Sequence, residues 1–158
     1  NLPGHAEAQG RLTRWRLDVS TGQIYRESLV DLAAEFPRID DRFAMGRHRH
    51  GFLATASQRQ RGDGGVFHEI THIDLDSGLQ QVWDAGFGSG VSEPVFVERS
   101  KQAAEGAGWL LATVYEPDRH TSSLVVLDAT AVADGPVATV RLDHRVPFGF
   151  HGSWRPAA

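Results

Sequence analysis

Apolar and polar residues alternate along most of this chain, with the two-residue period of a β-strand rather than the 3.6-residue period of a helix. From Leu12 to Val19, the residues Thr13, Trp15, Leu17 and Val19 fall on one side and Leu12, Arg14, Arg16 and Asp18 on the other. The Trp15, Leu17, Val19 side is apolar, which predicts a half-buried strand. Ser20-Thr21-Gly22 then reads as a turn in which Gly22 can take a positive φ, and Ile24 to Leu29 as the returning strand. The same design recurs as Phe67 to Leu75, a turn at Asp76-Ser77-Gly78, and a return over Leu79 to Trp83. Asp18 and Gly22 stand 56 positions before Asp74 and Gly78. A third copy runs from Ser123 to Asp128, through a looser connection over Ala129 to Pro136, and back over Val137 to Leu142. Arg49 to Ala56, Glu93 to Val97 and Trp109 to Tyr115 read as further strands. The one helical candidate is the short run Ser28 to Ala34.

A hairpin recurring about every 50 to 60 residues, with about four strands per period, is the pattern of β-propeller blades. The chain is all-β and holds two to three such blades on this reading. So few blades leave strand edges bare, and the chain begins with Asn1 rather than Met. Residues 1–158 are therefore expected to be the C-terminal blades of a single propeller domain, a fragment whose N-terminal part is missing. A self-sufficient β-sandwich, which also has short strands and frequent turns, remains the alternative at this point.

Composition narrows the function classes. With 41% hydrophobic and 23% charged residues the chain can form a core, so wholesale disorder is not expected. A net charge of −4 with scattered basic residues argues against nucleic acid, the only basic cluster being Arg47-His48-Arg49-His50. The absence of cysteine excludes disulfides, thiolate catalysis and cysteine-based zinc sites, and fits a reducing, cytoplasmic compartment. No apolar run approaches the roughly 18 to 20 residues a membrane span needs, and no signal peptide is visible.

Three segments carry candidate chemistry: Glu35-Phe36-Pro37-Arg38-Ile39-Asp40, Ser92-Glu93-Pro94-Val95-Phe96-Val97, and Val146-Pro147-Phe148-Gly149-Phe150-His151-Gly152-Ser153-Trp154. Taken singly, each has an ordinary reading. Glu35 and Glu93 each stand just ahead of a proline at the mouth of an apolar strand, as either a solvated strand end or a buried acceptor. His151 lies between Gly149 and Gly152 among Phe148, Phe150 and Trp154, as either a core histidine bonded to a carbonyl or a ligand.

Together, and in this order, the three segments resemble the carotenoid cleavage oxygenase family, over about Arg11 to Trp154. The resemblance implies a seven-bladed β-propeller with a ferrous ion, Fe(II), on its axis, held by four histidines from different blades. His151 matches the last of the four. Glu35 and Glu93 match two of the three glutamates that hold the ligating imidazoles from behind. The remaining glutamate and the other three histidines would lie upstream of Asn1. The implied reaction is oxidative cleavage of a conjugated C=C bond, in a small apolar carotenoid, apocarotenoid or stilbene, with dioxygen as co-substrate and carbonyl products. No general acid or base is implied. Any peripheral membrane contact would use regions outside this chain. The chemistry is coherent: imidazole suits ferrous iron, and a carboxylate accepting the Nδ1–H fixes the tautomer and aims Nε2 at the metal. The chain departs from the family pattern at Glu98, where many relatives have Pro, and at Phe148, where others often have Tyr. Having one of four ligands, it is not expected to hold iron alone.

The other histidines have plainer readings. His68 and His72 are four apart on a strand, about 13 Å, too far to share one metal. They and His48 and His50 are read as solvated or strand-face residues, and His5, His120 and His144 as exposed. Asp63-Gly64-Gly65 reads as a turn, and Trp15, Trp83 and Trp109 as blade-packing residues. Two other functions stay open: a non-enzymatic propeller that binds partners, and the same iron site working as an isomerase. Glutamates turned outward, far from any histidine, would favour the binding module.

Overall fold

The computed structural model describes residues 10–57 and 67–156. His5 and the Asp63-Gly64-Gly65 turn lie outside the described residues. Among the described residues, eleven strands form three consecutive antiparallel units. Strands β1 (Thr13–Asp18) and β2 (Gln23–Ser28) make a hairpin. Strands β3 (Ala33–Arg38), β4 (His50–Ala56), β5 (Glu69–Asp74) and β6 (Gln80–Asp84) make a four-stranded meander, hereafter blade A. In blade B, β7 (Gly90–Val91) and β8 (Val95–Glu98) lie end to end along β9 (Gly108–Glu116), followed by β10 (Thr121–Asp128) and β11 (Pro136–Arg141).

The hairpin repeat read from the sequence is repeated at atomic detail. The Asp18 carboxylate accepts from the Ser20 and Thr21 amides, and Gly22 N donates to Asp18 O at 2.8 Å, with Gly22 at φ +70°. The Asp74 carboxylate accepts from the Asp76 and Ser77 amides, and Gly78 N donates to Asp74 O at 2.7 Å, with Gly78 at φ +74°. Both turns need an acceptor at the first position and a left-handed residue at the last, which is what Asp and Gly provide.

The cores lie between successive units. Val30 and Ala34 meet Leu53 and Ile73, with Leu12, Leu29 and Leu75 packed against them, between the hairpin and blade A. Phe52, Ala54 and Ile70 meet Val91, Leu110, Ala112 and Leu127 between blades A and B. Phe52 and Phe96 stack there with ring centres 5.5 Å apart. Arg42 fastens the same boundary: it pairs with the buried Asp40 and donates to the carbonyls of Lys101 and Ala103 at 3.1 and 3.0 Å.

Some sequence expectations fail. Ser28 to Ala34 is not a helix: Ser28 ends β2 and Ala33 begins β3. A run this short cannot sustain a helical nucleus, and the core between hairpin and blade A takes Val30 and Ala34 instead. The Trp15, Leu17, Val19 side is exposed rather than half-buried, because β1 pairs with β2 alone and no described layer covers it. Trp83, by contrast, packs on the blade core as expected. Of the two readings for His68 and His72, solvated or strand-face, the first fails, since both are buried, and the second holds for His72, which lies within β5. Across the β4–β5 ladder His50 Nδ1 lies 2.9 Å from His72 Nε2, and His72 also stacks on Phe52. Burial, then the neighbouring His50, lowers the His72 pKa to about 4. His120 and His144 are exposed, as expected.

Candidate metal centre

The first strand of each blade breaks where its glutamate stands. In blade B, Ser92-Glu93-Pro94 separates β7 from β8, and the ladder gap follows from Pro94, which has no N–H to donate. In blade A, Glu35 pairs with Ala54 but Arg38 pairs with Phe52, so one extra residue bulges out of β3. Phe36 sits in that bulge with φ +55°, a conformation bulky residues rarely adopt.

A tail without strands carries His151. It is first clipped to β10: Ser122 N donates to His144 O and Val146 N to Ser122 Oγ, both at 3.0 Å. The Arg145 guanidinium then lies over the rings of Tyr115 and Phe148, at 5.0 and 5.5 Å. These contacts lay the tail alongside the gap in the first strand, where Glu93 meets it.

The Glu93 side chain is only 4% exposed. A buried carboxylate demands partners, and Glu93 has them. Gly152 N donates to Oε2 at 2.8 Å, His151 Nδ1 lies 3.2 Å from Oε1, and Arg38 Nη1 lies 3.5 Å from Oε1. Because the carboxylate accepts, the geometry assigns the proton to Nδ1 and leaves the Nε2 lone pair free. The His151 side chain is 75% exposed, and Phe36 stands edge-on to its ring at 6.0 Å. Phe36 in turn meets Phe67 at 6.2 Å. A cleft of about 330 Å³ adjoins the imidazole, with Val95, Leu111, Phe150 and Trp154 among its walls.

The structure thus brings Glu93 and His151 together, and does not bring Glu35 to them. Glu35 is exposed, and among the described residues its carboxylate shares a hydrogen bond with no histidine. Gly10 lies against it so closely that a Cβ there would stand 2.7 Å from Oε1. Sequence reasoning missed two participants. Arg38 and Phe36 both lie inside the segment it singled out, but their aim depends on the bulge, whose only local signal is Pro37 within the strand. A second group of donors, His68, Glu69 and Asp84, lies within 4.8 Å in blade A. There Glu69 already accepts from Thr55 Oγ1 at 3.0 Å, and His68 Nε2 lies 3.3 Å from Ser57 Oγ.

Comparison with known proteins identifies the family. The family model of the retinal pigment epithelial membrane protein matches residues 2–156. The chain belongs to that family. Isoeugenol monooxygenase from Pseudomonas nitroreducens is 38% identical, over 95% of this chain and 33% of its own length. Apocarotenoid-15,15'-oxygenase from Synechocystis is 31% identical, over 92% of this chain and 29% of its own length. Among solved family structures, lignostilbene dioxygenase from Pseudomonas brassicacearum superposes with a TM-score of 0.90 at 31% identity, over 99% of this chain and 35% of that one. Cobalt-substituted Synechocystis apocarotenoid oxygenase superposes with a TM-score of 0.87 at 30% identity, over 94% of this chain and 31% of that one. The chain spans about a third of the length of these family members. The resemblance read from the three segments is therefore the family the chain belongs to, and the propeller reading holds over the sandwich. Among the described residues, no helix is long and apolar enough to cross a membrane.

Proposed function

We propose that the full-length protein is an iron(II)-dependent dioxygenase that cleaves a conjugated C=C bond to carbonyl products, and that His151 is one of its metal ligands. The observation that carries this reading is the pairing of His151 Nδ1 with the buried carboxylate of Glu93 at 3.2 Å. The donor chemistry fits ferrous iron: a neutral imidazole, held from behind by a carboxylate, presents a free and exposed Nε2. Iron(II), when bound, supplies the redox chemistry that joins dioxygen to the double bond. The chain's own residues orient the ligand and wall the site. Glu93 fixes the tautomer, Gly152 lets the tail pass close to Val95 of β8, Phe36 stands edge-on to the imidazole, and Phe150 and Trp154 line the cleft beside it. Glu35 is assigned the same duty as Glu93, toward a histidine outside this chain.

The substrate is proposed as a small apolar molecule with a double bond in conjugation. Isoeugenol, lignostilbene and apocarotenoids, the compounds that name the relatives, all meet that description. The alternative of a non-enzymatic binding propeller is disfavoured by Glu93, which is turned inward onto a histidine rather than outward into water. An isomerase would use the same ligands, and labelled dioxygen separates the reactions, since only cleavage places the label in the products. The site itself is tested by His151→Ala in the full-length protein. Iron stoichiometry and turnover are both expected to collapse, and a variant retaining stoichiometric iron would remove the assignment.

A further inference from the structure

We infer that Arg38 is a positioning residue for the metal centre, holding the Glu93 carboxylate from the neighbouring blade so that it can hold His151. The inference rests on the metal-centre reading above and extends it to a residue outside the ligand–glutamate pairs.

The β3 bulge makes the contact possible. If the β3–β4 register continued unbroken from Glu35 opposite Ala54, Arg38 would stand opposite Gly51. The extra residue instead places it opposite Phe52, whose ring stacks on Phe96 of blade B. A one-residue change of register moves a side chain to the other face of its sheet, so the bulge turns Arg38 toward the blade that carries Glu93. The same bulge sets Phe36 edge-on to His151. Phe36 takes a left-handed backbone to do so, a local strain that persists only where surrounding contacts enforce it.

Arg38 is itself held in place. Its Nη1 lies 3.5 Å from Glu93 Oε1 and its Nη2 3.5 Å from Asp41 Oδ2, while its side chain is 23% exposed. Among the described residues it is the cation paired with Glu93, beside the His151 imidazole. Glu93 Oε1 therefore sits between a guanidinium and an imidazole, while Oε2 is committed to Gly152 N. Two hydrogen bonds and an ion pair, from three directions, restrict the rotation of the carboxylate. Without Arg38 it keeps two, both to the strand-free tail, and among the described residues no other side chain of the blades pairs with it. The planar guanidinium faces two carboxylates with separate nitrogens, Nη1 toward Glu93 and Nη2 toward Asp41, a bridge that leucine cannot make.

The test uses the full-length protein, stripped of metal and titrated with cobalt(II) against a competing chelator. Arg38→Leu is expected to weaken cobalt affinity about tenfold or more, the range seen when a group behind a ligand is lost. The visible absorption of the bound cobalt should shift, while the melting temperature of the metal-free protein stays close to the parent's. Arg38→Lys, which keeps the charge, should recover part of the affinity, and it stands in should the leucine variant fail to fold. Parental cobalt affinity and spectrum in Arg38→Leu, with affinity lost in His151→Ala, would overturn the role of Arg38 and leave the metal centre standing. Parental affinity in both variants would overturn the metal centre itself.

Discussion

Glu93 answers for three groups at once: an imidazole, a backbone amide and a guanidinium from the next blade. Its amide isostere keeps one acceptor oxygen, but the amide nitrogen cannot accept, so either the imidazole or the Gly152 amide loses its acceptor, and the neutral group gives Arg38 no charge to meet. Glu93→Gln in the full-length protein is therefore expected to lower iron affinity by about 10- to 100-fold. Chelator competition measures this, and an unchanged affinity would count against the role. His151 and Glu93 were legible in the sequence because each sits in a short segment of unusual composition, Gly-Phe-His-Gly and Ser-Glu-Pro. Arg38 was legible only as a letter in such a segment. Its function depends on which face of β3 it occupies, and a single inserted residue decides that. Glu35 was named for the same reason as Glu93, and its partner is proposed outside this chain.

At the scale of elements, alternation located most strands to within a few residues, because a pleated strand with one wet and one dry face must alternate. It could not show which residues meet across a ladder. The His50–His72 pair illustrates the loss: alternation places each on a strand face, but not that the two, 22 positions apart, share a hydrogen bond with His72 buried. Their pairing has a consequence for stability. The His72 pKa falls from 6.5 to about 4 on folding, chiefly through burial, then through His50 and Arg49, against the opposing pull of Asp74. Between those values the unfolded chain binds more protons, so the contribution of this group to stability is fully present above pH 6.5 and lost as pH falls toward 4. The loss amounts to on the order of 3 kcal/mol. His72→Phe, which keeps the stacking on Phe52, is expected to flatten the urea midpoint over that pH window. Identical slopes in parent and variant would rule His72 out as their source.

At the scale of the molecule, each core is made between units rather than within one, so every unit needs a neighbour on both sides. Periodicity disclosed this as a recurring hairpin, but not where the series of units meets bare surface. The hairpin shows it: Trp15, Leu17 and Ile24 are exposed. Apolar surface on this scale favours association. The 158-residue chain by itself is expected to self-associate at micromolar concentrations. Replacing Trp15 and Leu17 with Lys should reduce it, as sedimentation would record. A persistently monomeric parent chain would mean that these faces are covered in some other way. The tail has the opposite character, since it contributes no strand to any sheet. Unfastening it from Ser122 and Glu93 would leave every described ladder intact, so building the blades does not require the tail to be seated. On the metal-centre reading, the tail is a latch closed onto a scaffold that stands without it, and no blade depends on the latch for its pairing.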